Sequence, residues 1–229
     1  MEIAMYLAMT AAEFSTCGQF PERVAWLACH FSPSGPGLSN IPKSLPAHSL
    51  LMVDDSTPFQ NHEPECIIRQ LREAVSALEA QAVILDFQRP YDKDVQALVL
   101  KQQNELPCPV AAPPEYAQGD CPVFLPPCPL NKPLKNHLAP YRGRQIWLDA
   151  APLPMQVTVT AKGSKSQVLS MQESSNTPHW ESNLCCHYKI ELEEERIVFT
   201  LVRDFESWLT EAEKLGVSAA IGLYQEFRR

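Results

Sequence analysis

Glycine is scarce in this chain, eight in 229 residues, and it never falls into a phosphate-binding spacing. There is no G-x-G-x-x-G, no P-loop and no G-x-S-x-G. Their absence argues against a dinucleotide fingerprint, a phosphate cradle and a nucleophile elbow. The stretch SPSGPGLSN (32–40) comes nearest, but its prolines remove the backbone donors such a cradle needs, and it reads as a long loop. Positive charge is also short: 19 Lys and Arg face 27 Asp and Glu, a net charge of −8. Phosphate backbones and anionic lipid need clustered Lys and Arg, so neither nucleic acid nor a membrane is an expected partner. No run approaches the ~18 apolar residues of a membrane helix.

The N-terminus MEIAMYLAM lacks the basic stretch of a secretory signal and carries Glu2, so a cytoplasmic location is expected. The eight cysteines include no C-x-x-C pair. Several lie inside apolar runs, where a thiol acts as a small core residue. Cys185 and Cys186 read the same way, one facing in and one out if they lie on an alternating strand. The six histidines show neither H-x-x-x-H nor H-E-x-x-H, and His30, Asp54, Asp55 and His62 are scattered donors. No metal and no cofactor is expected.

Proline, by contrast, is abundant, and its 21 residues punctuate the chain in short clusters. Between them lie eight apolar runs: 3–9, 24–31, 49–55, 82–88, 108–114, 121–127, 145–151 and 217–224. Most are continuous rather than alternating, as expected of strands buried on both faces in a parallel sheet. Helical spacing separates some of them. Ile67, Leu71, Val75 and Leu78 share one face of 64–80; Val95, Leu98 and Val99 mark 91–106. Residues 132–140 are a shorter candidate, and 205–215 end at Gly216, suited to a C-cap.

Eight such strands predict a TIM-like (β/α)8 barrel, one domain over residues 1–229, with helices missing after the first two runs. Residues 15–23 are too few for a helix, 32–48 too rich in Pro and Gly, and 113–120 have room for one turn. The bared flank then needs a cover. Either the 32–48 loop folds back with Leu38, Ile41 and Leu45, or a second copy packs against Trp26. The loop is preferred, giving a monomer. Residues 154–203 break the repeat: CCHYKIELEEERIVFTLVRD alternates and turns at Glu193–Glu195, so an antiparallel insertion is expected there.

The order of these segments resembles the family 18 glycoside hydrolases, the chitinase-like barrels. QAVILDFQ falls where that family carries D-x-x-D-x-D-x-E at the end of its fourth strand. CPVAAPP is similar to its fifth strand, RQIWLDAAPLP to its seventh and AEKLGVSAAIGLY to its closing helix and strand. On the acidic motif the four positions become Gln81, Ile84, Asp86 and Gln88, so only the third acid is kept. The resemblance implies that the final Glu is the general acid and the preceding Asp orients the substrate's acetamide. Gln88 has no titratable proton to give. The family's strand-six tyrosine motif is replaced by VFLPP.

Sites of such barrels lie at the C-terminal ends of the strands. The catalytic candidates there are Asp54, Asp55, Asp86 and Glu226, since crowded carboxylates can hold one another protonated. Alternatively, Arg89 pairs with one of them and the cluster is structural. Ligand-binding candidates are Gln88, Arg89, His30, Glu13, Tyr116, Asp149 and Tyr224. The leading expectation is a degenerate glycosidase-like barrel that binds a small molecule or an oligosaccharide. An active glycoside hydrolase and a protein-interaction scaffold are the alternatives.

Overall fold

The computed structural model describes residues 3–60, 62–169, 176–193 and 195–227. In chain order the elements are β1 (Ala4–Met9), α1 (Ala11–Thr16), β2 (Val24–Phe31), β3 (Leu38–Ser39), β4 (Leu50–Asp54), α2 (Pro64–Leu78), β5 (Ala82–Asp86), α3 (Lys93–Glu105), β6 (Val110–Ala111) and β7 (Val123–Leu125). Next come α4 (Leu134–Leu138), a 3-10 turn, β8 (Ile146–Asp149), β9 (Met155–Thr160), β10 (Gly163–Val168), β11 (His179–Glu181), β12 (Cys186–Glu193), β13 (Arg196–Arg203), α5 (Phe205–Lys214), β14 (Val217–Leu223) and α6 (Tyr224–Phe227).

Eight parallel strands run β6-β5-β4-β2-β1-β14-β8-β7. The bridge Ala112–Val123 joins the two ends, with Phe124 N–H donating to Ala112 at 2.8 Å. The ring is a TIM-like barrel, as the continuous apolar runs predict. The antiparallel sheet β10-β9-β13-β12-β11 is inserted between β8 and α5. Glu194, within its expected turn, and Ser170–Ser175 lie outside the described residues.

Side-chain caps satisfy the first turns of α3 and α5. Asp92 caps α3 by accepting from Asp94 N–H at 2.7 Å, and Asp204 caps α5 by accepting from Ser207 N–H at 2.9 Å. Helix α5 stops at Gly216, whose φ of 89° suits glycine. Helix α2 buries Ile67, Ile68, Leu71, Val75 and Leu78 against the barrel wall.

One expectation is corrected: a helix does follow the first strand. It starts at Ala11, ahead of residues 15–23, and a reciprocal capping box stabilises it, Thr10 Oγ1 accepting from Glu13 N–H and the Glu13 carboxylate accepting from Thr10 N–H. Its Phe14 meets the Trp26 ring edge-on at 5.3 Å. The rest of that flank is covered by the 32–48 loop. Leu38 is buried, Ile41 and Leu45 pack on the same core as Trp26, and the Trp26 indole N–H donates to Asn40 O at 2.9 Å.

Strand parity divides the apolar side chains in two. One set lies between strands and outer cover. The other fills the lumen: Tyr6 and Ala8, Ala25, Leu50 and Met52, Ala82 and Ile84, Ala111, Phe124, Trp147, Ala219 and Ile221. Two residues beyond Met52, Ile84 and Trp147 come Asp54, Asp86 and Asp149. The lumen is therefore apolar for most of its depth and ends in three carboxyls at the C-terminal mouth.

Candidate functional site

Strands β4 and β5 pair Asp54 with Asp86, and β2 and β4 pair His30 with Asp54. The three polar residues thus stand side by side at one rim. The Gln88 side-chain N–H donates to Asp86 Oδ1 at 3.3 Å. This is the arrangement expected for Gln88, with its amide in the mouth beside Asp86.

A cavity of about 570 Å3 opens there, within the size range of small-ligand sites. Its lining includes Asp86, Gln88, Glu115 and Asp149 together with Lys132, His137 and Tyr141, and among apolar residues Phe124, Leu125 and several prolines. Burial raises the Asp86 pKa, the Gln88 hydrogen bond opposes this, and Asp54 and Asp55 add to the rise. Asp149 is pushed to about 7, first by burial and then by the charges of Asp86 and Glu226. Burial also raises Glu226, in α6 directly after β14. The mouth thus gathers carboxyls whose burial and mutual repulsion favour the protonated form, Asp149 most of all.

Lys132, His137 and Tyr141 are additions to the sequence expectation. They follow the PP of the sixth run, in the loop and helix after β7, and site residues of barrels gather in such segments. The His137 ring Nε2 lies 3.1 Å from Pro126 O, and burial lowers its pKa.

Four expected residues are engaged elsewhere. Asp55 is buried, and its carboxylate accepts from the backbone N–H groups of Gln88 and Arg89, both at 2.9 Å. Arg89 returns the contact, donating to Asp55 O at 2.6 Å and Ser56 O at 2.7 Å. The pair stitches the loops after β4 and β5 together through backbone groups, and neither residue lines the cavity. Tyr116 is 1% exposed in the outer core, where its hydroxyl accepts from Asp92 N–H at 3.0 Å, because the turn after β6 tucks it under α3. Glu13 is committed to the cap of α1.

Three others stand at the rim without lining the cavity. Asp54 accepts from Ser56 N–H at 2.8 Å. The His30 ring nitrogen lies 3.2 Å from Ala28 O. The Tyr224 hydroxyl is 3.5 Å from Cys17 Sγ. Cys185 and Cys186 are both buried. Cys185 sits in a left-handed turn at φ 48° before β12 begins, so strand alternation does not separate them.

No family model matches the chain, and no curated protein matches it. Among solved structures, a chitinase-like agglutinin from Robinia pseudoacacia superposes on 98% of this chain and 95% of its own, with a TM-score of 0.64 and 10% identity. The likeness is one of fold. It spans both barrel and inserted sheet, and at that identity it carries no residue assignment. Among the described residues no helix is long and apolar enough to cross a membrane, and no cluster of side chains is arranged to hold a metal ion.

Proposed function

We propose that the chain is a divergent chitinase-like barrel that binds a carbohydrate in its mouth and does not hydrolyse it. The observation that carries this reading is Gln88. Laid on the resembled family's motif it falls where the acid would stand, and its neutral amide lines the mouth and donates to Asp86. The lining suits a polyol. Asp86 accepts from hydroxyls, Gln88 both donates and accepts, and protonated Asp149 donates, while Phe124 and Leu125 offer an apolar surface to a sugar ring. The similar solved structure, called an agglutinin, is consistent with this reading.

One observation favours hydrolysis as a second reading: Asp149, titrating at about 7 beside Asp86, could carry a proton to a leaving group. Aryl N-acetylglucosaminides and N-acetylglucosamine oligomers, incubated across the acid and neutral range, are expected to give no product above the rate without protein. Turnover that vanishes in Asp149→Asn or Asp86→Asn would establish the second reading instead.

A further inference from the structure

The cavity in the mouth is lined by charge of both signs, and the two signs do not neutralise each other. Asp86, Glu115 and Asp149 line it, and so do Lys132 and His137. The charges acting on Asp86 are those of Asp54 and Asp55, and those acting on Asp149 are Asp86 and Glu226, with no cation among them. The charges acting on His137 are those of Lys132 and Arg203, with no carboxylate among them. Lys132 and Glu115 belong to none of the ion pairs among the described residues. The segment that carries the cations is itself held in place. Lys132 N–H donates to Pro129 O at 3.0 Å, and Lys132 O accepts from Cys128 Sγ at 3.4 Å. Arg203 does not line the cavity but is buried beside this segment, donating to Cys128 O at 2.8 Å and to Ala151 O at 3.2 Å. Its Nε–H has no acceptor and no carboxylate pairs with it, so a charge stands uncompensated where the surroundings screen it less than water does.

We infer that the saccharide bound in the mouth carries an anionic group, a carboxylate or a sulfate, which Lys132 receives while Asp86 and Gln88 hold hydroxyls. The inference rests on the carbohydrate reading of the same cavity and adds the charge of the ligand. Burial and mutual repulsion hold Asp86 and Asp149 towards their neutral form, so these carboxyls call for no cation. The cation at Lys132 has no such relief, and a neutral sugar would leave it and Arg203 without a counter-ion. A net charge of −8 and three carboxyls at the same cavity repel an extended polyanion. A short saccharide with a single anionic group satisfies both sets of side chains. Because Lys132 is exposed, its contact with the anion should contribute about fivefold in affinity.

The test uses the full chain and matched sets of galactose, mannose and N-acetylglucosamine oligomers. Each oligomer is presented unmodified, ending in a uronic acid, and 6-O-sulfated, first on an array and then in solution titrations. Wild type should bind one of the anionic forms about fivefold more tightly than its neutral counterpart, and the preference should fade as salt is raised. Which form wins tells carboxylate from sulfate. Lys132→Gln should bring the ratio of anionic to neutral affinity to about one, and Lys132→Arg should retain the preference. The side chain of Lys132 supports no other part of the fold, so Lys132→Gln should unfold at the wild-type temperature. Neutral forms bound as tightly as anionic ones would overturn the inference and leave the carbohydrate reading standing. A preference that survives in Lys132→Gln would also overturn it. Binding to no form of any oligomer would sink both readings together.

Discussion

Asp55→Ala is expected to lower the stability of the fold by about 3 kcal/mol, whereas Asp54→Ala, one residue away, should cost less than about 1 kcal/mol. The two acids look equivalent in the sequence. On a strand they point to opposite sides, and their partners differ accordingly. Asp54 faces the lumen and bonds one N–H, that of Ser56, at 2.8 Å. Asp55 holds two N–H groups of the neighbouring loop, and Arg89 in turn holds the backbone of Asp55 and Ser56. Removing its carboxylate leaves the N–H groups of Gln88 and Arg89 without their charged acceptor, while the Arg89 guanidinium keeps only its contacts to the carbonyls of residues 55 and 56. For a chain of this size the loss corresponds to a fall in Tm of roughly 6–12 °C. Thermal unfolding of the two variants side by side checks it. Equal losses would mean that the loops after β4 and β5 are not joined in this way.

The second large effect is a dependence of stability on pH that is reversed from that of an ordinary buried ion pair. Asp149 titrates at about 7 in the folded chain and near ~3.9 when unfolded. Between these values the folded state holds a proton that the unfolded state has released. Stability is therefore greatest below pH ~4 for this group and falls as pH rises towards 7. At about 1.36 kcal/mol per unit, the loss approaches about 4 kcal/mol, shared with Asp86 and Glu226, which are raised in the same direction. Asp149→Asn keeps the shape and removes the charge. Urea midpoints at pH 8 should be higher for the variant than for wild type, by the equivalent of about 2–4 kcal/mol, and the difference should shrink at pH 5. Parallel pH profiles for the two proteins would show that Asp149 is not buried among carboxylates.

Much of this architecture was legible because its signals are local. Strands buried on both faces must be continuously apolar, so the eight runs announced a parallel sheet. The alternating stretch before α5 announced an antiparallel one. The α1 helix was legible too, in the box Thr10-x-x-Glu13, but six residues carry too little periodicity to draw attention to it. The site was legible where parity alone fixes direction. Asp86 and Asp149 end strands whose lower residues fill the lumen, and Gln88 follows in the same mouth. It was not legible where loops decide. Lys132, His137 and Tyr141 line the cavity from the chain after β7, a stretch that carries five prolines before Tyr141. Tyr116 was lost to the outer core by the turn after β6, a choice made by tertiary packing under α3.

The central claim, that the mouth is a carbohydrate site without its acid, is met most directly by binding. Labelled wild type and Asp86→Ala should be compared on one array of immobilised glycans, with N-acetylglucosamine oligomers among them, and any ligand found should then be titrated in solution. The expected result is a defined set of glycans bound by wild type, left intact after incubation, and bound at least about tenfold more weakly by Asp86→Ala. Binding to no glycan, or binding that Asp86→Ala leaves unchanged, would contradict it.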